Sequence, residues 1–387
     1  MFRYILRRLL VGIVQLFIFI SAAFFLIQIL MPGDYVSQFA LQLSNEESAS
    51  LREITGVNLP LWEQYLHWIG RLARGDLGQA FSARGEPYAV ADVVKFLVPY
   101  TLMLFGFGTL LAFVIGNWIG KTIAWKTPRI ISNPAAFLGI IFYTSFPPWA
   151  AFVARYFFRD RLEIFINSFS DPVWRTAPVP ATQVMTYMLW SFGGVIALLW
   201  IGNQILQRLS RQSVHPLVLP ILLAGGVIAT WLFYAHSTYI WELLQILAIP
   251  FIVFVVLSFG ETLFIARSTM MDTLNEDYLL TARAKGLPDR AIKEKHAARN
   301  AILPVISRLV MRLPYLLTTG AMLEFVLDWP GIGSMLLVSV TTQNGPQFMG
   351  LFLVIGLISL VARIGLDVLQ AYLDPRIRIQ TKVAASS

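Results

Sequence analysis

The chain has 387 residues, of which 57% are hydrophobic and only 13% charged, more apolar side chain than a soluble core of this length could cover. It contains no cysteine, which excludes disulfides, thiolate metal sites and a thiol nucleophile; its four histidines, His67, His215, His236 and His296, fall in separate segments without ligand spacing. The formal charge of +8 fits basic loops facing anionic lipid on a cytoplasmic surface better than it fits nucleic acid.

Apolar windows predict eight spanning helices, near 9–31, 98–119, 134–154, 182–202, 217–236, 240–262, 313–339 and 348–369. No run alternates like a barrel strand, so an all-α polytopic bundle is the expected solution for backbone polar groups in lipid. Arg3, Arg7 and Arg8 precede the first window in the manner of a signal peptide. That window is too long, however, and Met31-Pro32-Gly33-Asp34 offers no small-residue cleavage pattern, so the segment is expected to stay as the first span.

The polar stretch that follows, up to residue 96, is more acidic than basic, which places it outside the cytoplasm. Within it Pro60 suits a first helical turn, and Trp62, Tyr65, Leu66, Ile69 and Leu72 recur at helical spacing. Such an amphipathic helix can lie on its own bundle or dock a partner. Lys121, Lys126 and Arg129, then Arg208 and Arg211, then the 263–312 loop alternate onto one side with the N-terminal arginines, which makes both termini cytoplasmic.

The stretch Arg267 to Arg312 holds nine basic and five acidic residues. Thr273 followed by Glu276 predicts a capping box, Gly286 a left-handed helix stop, and Pro288-Asp289 the first turn of a second helix. The segment therefore reads as helix, tight turn, helix, projecting from the membrane. Ala282, Ala284 and Gly286 are small enough for close docking, while Arg283, Lys285 and Arg299 can pair with acids or helix ends on a partner.

Asp277-Tyr278, Thr281-Ala282-Arg283-Ala284-Lys285-Gly286, His296, Arg299-Asn300 and Leu303-Pro304 resemble the cytoplasmic coupling loop of ABC importer permeases of the dipeptide, oligopeptide and nickel branch. Tyr4-Ile5-Leu6-Arg7-Arg8, Pro32-Gly33-Asp34, Gln64-Tyr65, Gly75-Asp76-Leu77-Gly78, Ser145-Phe146-Pro147, Glu324, Trp329-Pro330-Gly331-Ile332-Gly333 and Leu373-Asp374-Pro375-Arg376 extend the resemblance along the chain. Only about 155–248 fails to align, adding two of the eight windows. The short loop motif of the wider superfamily begins Glu-Ala-Ala; Leu280-Thr281-Ala282 stands here, the form usual in the peptide branch.

The resemblance implies a bundle like the type I ABC importer transmembrane domain. Residues 1–96 would form an N-terminal span plus extracytoplasmic segment; 97–387 would form the transmembrane domain, with the unaligned insert at about 155–248 and the coupling loop at 267–312. In that family such a subunit forms half of a pathway for a peptide, oligosaccharide or metal chelate. It works with a homologous second permease, two cytoplasmic ATPases that hold Mg-ATP, and an extracytoplasmic binding protein, in a bacterial or archaeal plasma membrane. No catalytic, cofactor or metal site is expected in this chain.

Other signals are weaker. Gly116-Asn117-Trp118-Ile119-Gly120-Lys121-Thr122 has one residue too few between its glycines for a phosphate loop, and as Gly-x-x-x-Gly it predicts a close helix crossing. Arg363 and Asp367, four apart, are expected to pair with each other. Glu261, Glu324 and Asp328 stand near span ends or in the 313–339 segment, where Asp328-Trp329-Pro330-Gly331 should break the helix at an interfacial turn. Trp62, Trp68, Trp149, Trp231, Tyr234 and Trp241 fit an aromatic belt. The alternative, an ion-coupled secondary transporter, would show broken helices with paired acids near mid-membrane, and no such pair is evident.

Overall fold

A computed structural model describes residues 2–30, 52, 58–81, 86–126, 134–164, 167–210 and 219–373. Pro32-Gly33-Asp34, Arg129, Arg211 and the stretch from Asp374 onward lie outside them. The first span, α1 (Phe2–Leu30), is followed by the short α2 (Leu61–Leu72) and a two-stranded antiparallel ribbon, β1 (Gln79–Phe81) and β2 (Pro87–Ala89), a small addition to the expected helical bundle. Next come α3 (Val90–Thr101) and α4 (Gly108–Lys126), joined through a π-helical turn at Leu102–Phe107. Then follow α5 (Pro134–Thr144), α6 (Pro147–Arg155), α7 (Pro172–Arg175), α8 (Ala181–Ser210), α9 (Leu219–Leu232) and α10 (Ser237–Leu274). The rest are α11 (Asp277–Ala284), α12 (Asp289–Ala291), α13 (Ala298–Val326), α14 (Ile332–Thr341) and α15 (Gly345–Leu373).

Each predicted window holds an apolar helix, but not every one is a straight span. Among the described residues five helices are long and apolar enough to cross a membrane, and two further bent pairs raise this to seven if each is one span. The window at 217–236 holds only the shorter Leu222–Leu232 helix. The window at 134–154 is broken: Ala136–Thr144 and Pro147–Arg161 meet at 106°. Pro147 and Pro148 bring no N–H to the carbonyls of Tyr143 and Thr144, so the first helix cannot run on. Similarly, Asp289–Arg312 and Tyr315–Val326 meet at 58°, with Pro314 at the break.

Two interhelical contacts bear on expectations drawn from the sequence. Gly116 and Gly120 lie against α10 so closely that a Cβ at either would come within 2.5 Å of a backbone oxygen, of Phe259 and Leu263 respectively. The Gly-x-x-x-Gly crossing is therefore present. On the other flank α1 lies along α15, where Arg8 Nη1 stands 3.3 Å from the buried Asp367 carboxylate. The expected Arg363–Asp367 pair does not form. Arg363 points outward, and the register of α1 on α15 brings a cation from another helix to the buried acid.

The amphipathic helix exists as α2, with a different buried face from the one expected. Trp68 stacks on Phe24 of α1 at 5.3 Å, Tyr65 shares a 2.7 Å hydrogen bond with Ser21, and Ile69 and Leu72 pack nearby. Trp62 and Leu66 face away, both more than half exposed. The ribbon is tied to the start of α15 by Tyr88, whose hydroxyl donates to Gln347 and accepts from Asn344 Nδ2 at 3.1 Å. Burial raises the Tyr88 hydroxyl above its usual range, more than the Asn344 hydrogen bond lowers it, so it remains a donor at neutral pH.

The main core joins α3, α8, α10 and α13 through Tyr100, Met103, Leu104, Met185, Met188, Leu243, Phe254 and Leu323. The helix α8, in the stretch that resists alignment, thus contributes fully buried methionines to the centre. Its other face, with Trp190 76% exposed and Leu198 69% exposed, is apolar as a lipid-facing surface must be.

Candidate functional site: a polar hairpin and its roots in the bundle

The residues that resemble a coupling loop form a compact hairpin of α11 and the π-wound turn Ile292–Ala297 that leads into α13. Glu276, not Thr273, stands at the N-cap of α11 and makes no side-chain cap bond. Thr273 belongs to the last turn of α10 and bonds the carbonyl of Thr269 at 2.7 Å, so the expected capping box is absent. What replaces it is charge: Asp277 occupies the first turn, where the helix dipole favours an acid.

The C-terminal stop is as expected. Gly286 has φ +72, Gly286 N–H donates to the carbonyl of Arg283 at 2.9 Å and Leu287 N–H to that of Ala282 at 3.4 Å. This is a Schellman closure, with a left-handed residue that glycine adopts at least cost. Pro288 then caps α12, with Asp289 at its first position.

Inside the hairpin, Leu279, Ala282, Ile292, Ala297 and Ala301 pack with Met270 of α10 and Ala124 of α4. Ala282 is 6% exposed, so it builds the hairpin's own core and is not part of a docking face. The small size that suggested docking instead lets two helices approach within one polypeptide. Tyr278 holds the two arms together: its hydroxyl accepts from Asn300 Nδ2 at 2.9 Å and reaches the carbonyl of His296 at 3.5 Å. Thr269 Oγ1 adds a 3.0 Å bond to the carbonyl of Ala301, rooting the second arm on α10.

The remaining predicted residues divide plainly. Thr281, Arg283, Ala284, Lys285, Gly286, His296, Arg299 and Pro304 are exposed, and Leu303 is half-buried. Among the described residues Arg283, Lys285 and Arg299 have no ion pair. Two residues not singled out from the sequence complete the outer surface: Leu280 is 57% exposed and Leu287 38% exposed. Leu280 and Ala284 stand four apart on α11 and Leu287 follows the turn, giving an apolar strip bordered by cations.

The hairpin joins the membrane region through Arg312, just before the bend in α13. Its guanidinium lies 2.5 Å from Glu261 of α10, donates to Tyr143 of α5 at 2.7 Å, and sits over the Tyr315 ring at 4.9 Å. Beyond the bend, α13 ends in a second Schellman closure with Asp328 at φ +55 and Trp329 N–H on the Glu324 carbonyl at 2.8 Å. The helix break expected at 328–331 is therefore real.

Glu324 itself is buried and caps α14. Its carboxylate accepts Gly333 N–H at 2.7 Å, Ser334 N–H at 3.1 Å and the Thr101 hydroxyl at 2.8 Å. Thr101 in turn accepts Ile332 N–H at 2.8 Å, and the Trp329 indole donates to the Tyr100 carbonyl at 3.2 Å. A π-helical turn shifts the bonding register by one residue, and the turn beginning at Leu102 suits a Tyr100 carbonyl that looks outward.

Comparison with known proteins agrees with this architecture. Residues 211–379 match the family model "Binding-protein-dependent transport system inner membrane component", and residues 1–89 match the model of the N-terminal part of such membrane components. A permease protein of Brucella suis biovar 1 is 31% identical, with 98% of this chain and all of that protein covered. The dipeptide transport system permease protein of Escherichia coli K12 is 28% identical over 98% of this chain and 99% of its own length. The oligopeptide transport system permease protein of Bacillus subtilis 168 is 26% identical over 97% and 98%. The chain belongs to the binding-protein-dependent transport system inner membrane components, as a multi-pass permease subunit of an ABC importer whose ATPase is a separate subunit.

Proposed function

We propose that this subunit forms half of the pathway of a peptide importer, and that the 267–312 hairpin is the element through which ATP hydrolysis on partner subunits drives it. The peptide assignment is supported by the dipeptide and oligopeptide transport relatives. The other half would be a homologous second permease, with two ATPases on the cytoplasmic face and a binding protein outside. The basic loops support a cytoplasmic placement of the hairpin and both termini.

The observation that carries the mechanism is the outward strip Leu280, Ala284 and Leu287, bordered by Arg283 and Lys285, on a hairpin whose inner face is already filled. An exposed apolar strip on a polar cytoplasmic loop has no lipid to cover it, and an ATPase groove with acidic edges would. Movement of that groove would pass through the second arm into α13, whose outer part carries the Glu324 node. In proteoliposomes holding the full complex, uptake of a labelled tripeptide should require ATP inside the ATPase compartment and loaded binding protein on the opposite face. Uptake independent of either would refute this function.

A further inference from the structure

Beside the helix break at Asp328 lies a cavity of about 80 Å³ between the end of α6, the loop at Asn167–Phe169, and α10 at Ile246–Pro250. Its polar lining is Arg155, Arg159, Asn167, Ser168 and Asp328. Pro250 lies thirteen residues into α10, so the cavity is set between the ends of α6 and α13 and the middle of α10.

The charges do not cancel. Arg155 is committed: it pairs with Asp328 at 2.6 Å and donates to the Val326 carbonyl at 3.1 Å. Asn167 donates to Glu242, and Ser168 N–H bonds Asp171 at 2.7 Å. Arg159, four residues on from Arg155, has no ion pair among the described residues, so the cavity keeps one uncompensated cation. Pro250 also brings no N–H to the carbonyl of Ile246, which lines the same cavity and can accept from a ligand amide. A guanidinium fork and a carbonyl acceptor lining one cavity suit a carboxylate attached to a peptide N–H. The volume admits that terminal group with water, and the rest of a peptide would remain outside.

We infer that this cavity is a subsite for the C-terminal carboxylate of the peptide in passage, with Arg159 as its anion-binding side chain. The inference rests on the peptide-importer reading above. A lipid phosphate offers the same anionic chemistry, and the test separates the two.

The complete transporter is reconstituted with saturating loaded binding protein, and uptake of a tripeptide is compared with uptake of its C-terminal amide, for a pair that the binding protein accepts in both forms. Wild type should favour the free acid, and Arg159→Gln should reduce the acid-to-amide ratio about tenfold through loss of a charge-assisted hydrogen bond. Arg159→Lys should restore much of it. Arg161→Gln, outside the cavity and engaged with Tyr156, should keep the wild-type ratio. An unchanged ratio in Arg159→Gln overturns the subsite. The comparison is run in vesicles of phosphatidylcholine alone and with phosphatidylglycerol added. A fall in the ratio that appears only with the anionic lipid assigns Arg159 to a headgroup and likewise overturns it. Loss of ATP-dependent uptake in wild type would refute the importer reading first, and the subsite with it.

Discussion

The carboxylate of Glu324 accepts the backbone N–H of Gly333 at 2.7 Å, which makes one buried acid the cap of the next helix in the chain. Gly331 and Gly333 are small because of it: a Cβ on Gly331 would stand 2.1 Å from that carboxylate, and one on Gly333 would stand 2.4 Å from the Ala321 backbone. The Trp-Pro-Gly-Ile-Gly run is thus a shell around Glu324.

Replacing Glu324 with Ala should therefore cost several kcal/mol, since each buried donor left without a partner costs about 1–3 kcal/mol. Glu324→Gln should cost less, because one amide oxygen can keep both backbone N–H bonds while its NH2 faces the Thr101 hydroxyl. Gly331→Ala should resemble Glu324→Ala. Thermal unfolding of the purified complex in detergent checks the order, and equal stability of Glu324→Ala and wild type would sink this account of the node.

A second expectation concerns Asp367. Because its partner is Arg8 on α1, Arg8→Ala should loosen α1 from α15, whereas Arg363→Ala should change stability by less than about 0.5 kcal/mol. Arg8 is 45% exposed at its side chain, so solvent screening limits the coupling to about 1 kcal/mol. A double-mutant cycle over Arg8 and Asp367 measures it. A coupling that appears with Arg363 instead would contradict the pairing.

The orientation is directly accessible because the chain contains no cysteine. Asp289→Cys, in the hairpin turn, should react with an impermeant thiol reagent only from the cytoplasmic side. Thr176→Cys, between α7 and α8, should react only from the outside. Labelling of Thr176→Cys from the cytoplasm would reverse the placement of everything between α6 and α8.

How far the sequence could lead depends on the range of each interaction. Local rules found the Gly286 stop, the helix start at Pro288-Asp289 and the break at Asp328, because these involve residues within one turn of each other. The Gly116–Gly120 crossing was legible because its period is helical and its chemistry general. The partner of Asp367 was not: spacing of four nominated Arg363, and only the packing of α1 on α15 brings up Arg8. The same limit applies to Glu324, whose donors lie nine and ten residues downstream and on another helix. In the hairpin, small size marked Ala282 as important, but size alone cannot say which neighbour a small residue approaches. Its neighbours are Met270 and Ile292 of its own chain. The exposed leucines escaped notice because apolar residues in an apolar chain carry no contrast until one knows which are outside the lipid.

That reversal selects the measurement bearing most directly on coupling. Ala282→Asp would put a charge into the hairpin core and test folding. Leu280→Asp alters only the exposed strip, and the Gly286 backbone, with open space around it, is untouched. In the reconstituted complex, at matched subunit content, stimulation of ATP hydrolysis by loaded binding protein should fall at least about tenfold in Leu280→Asp, as for an apolar interface anchor replaced by a charge. Peptide uptake should fall with it. A Leu280→Asp complex that assembles and hydrolyses ATP with full stimulation would contradict the assignment of this strip as the coupling surface.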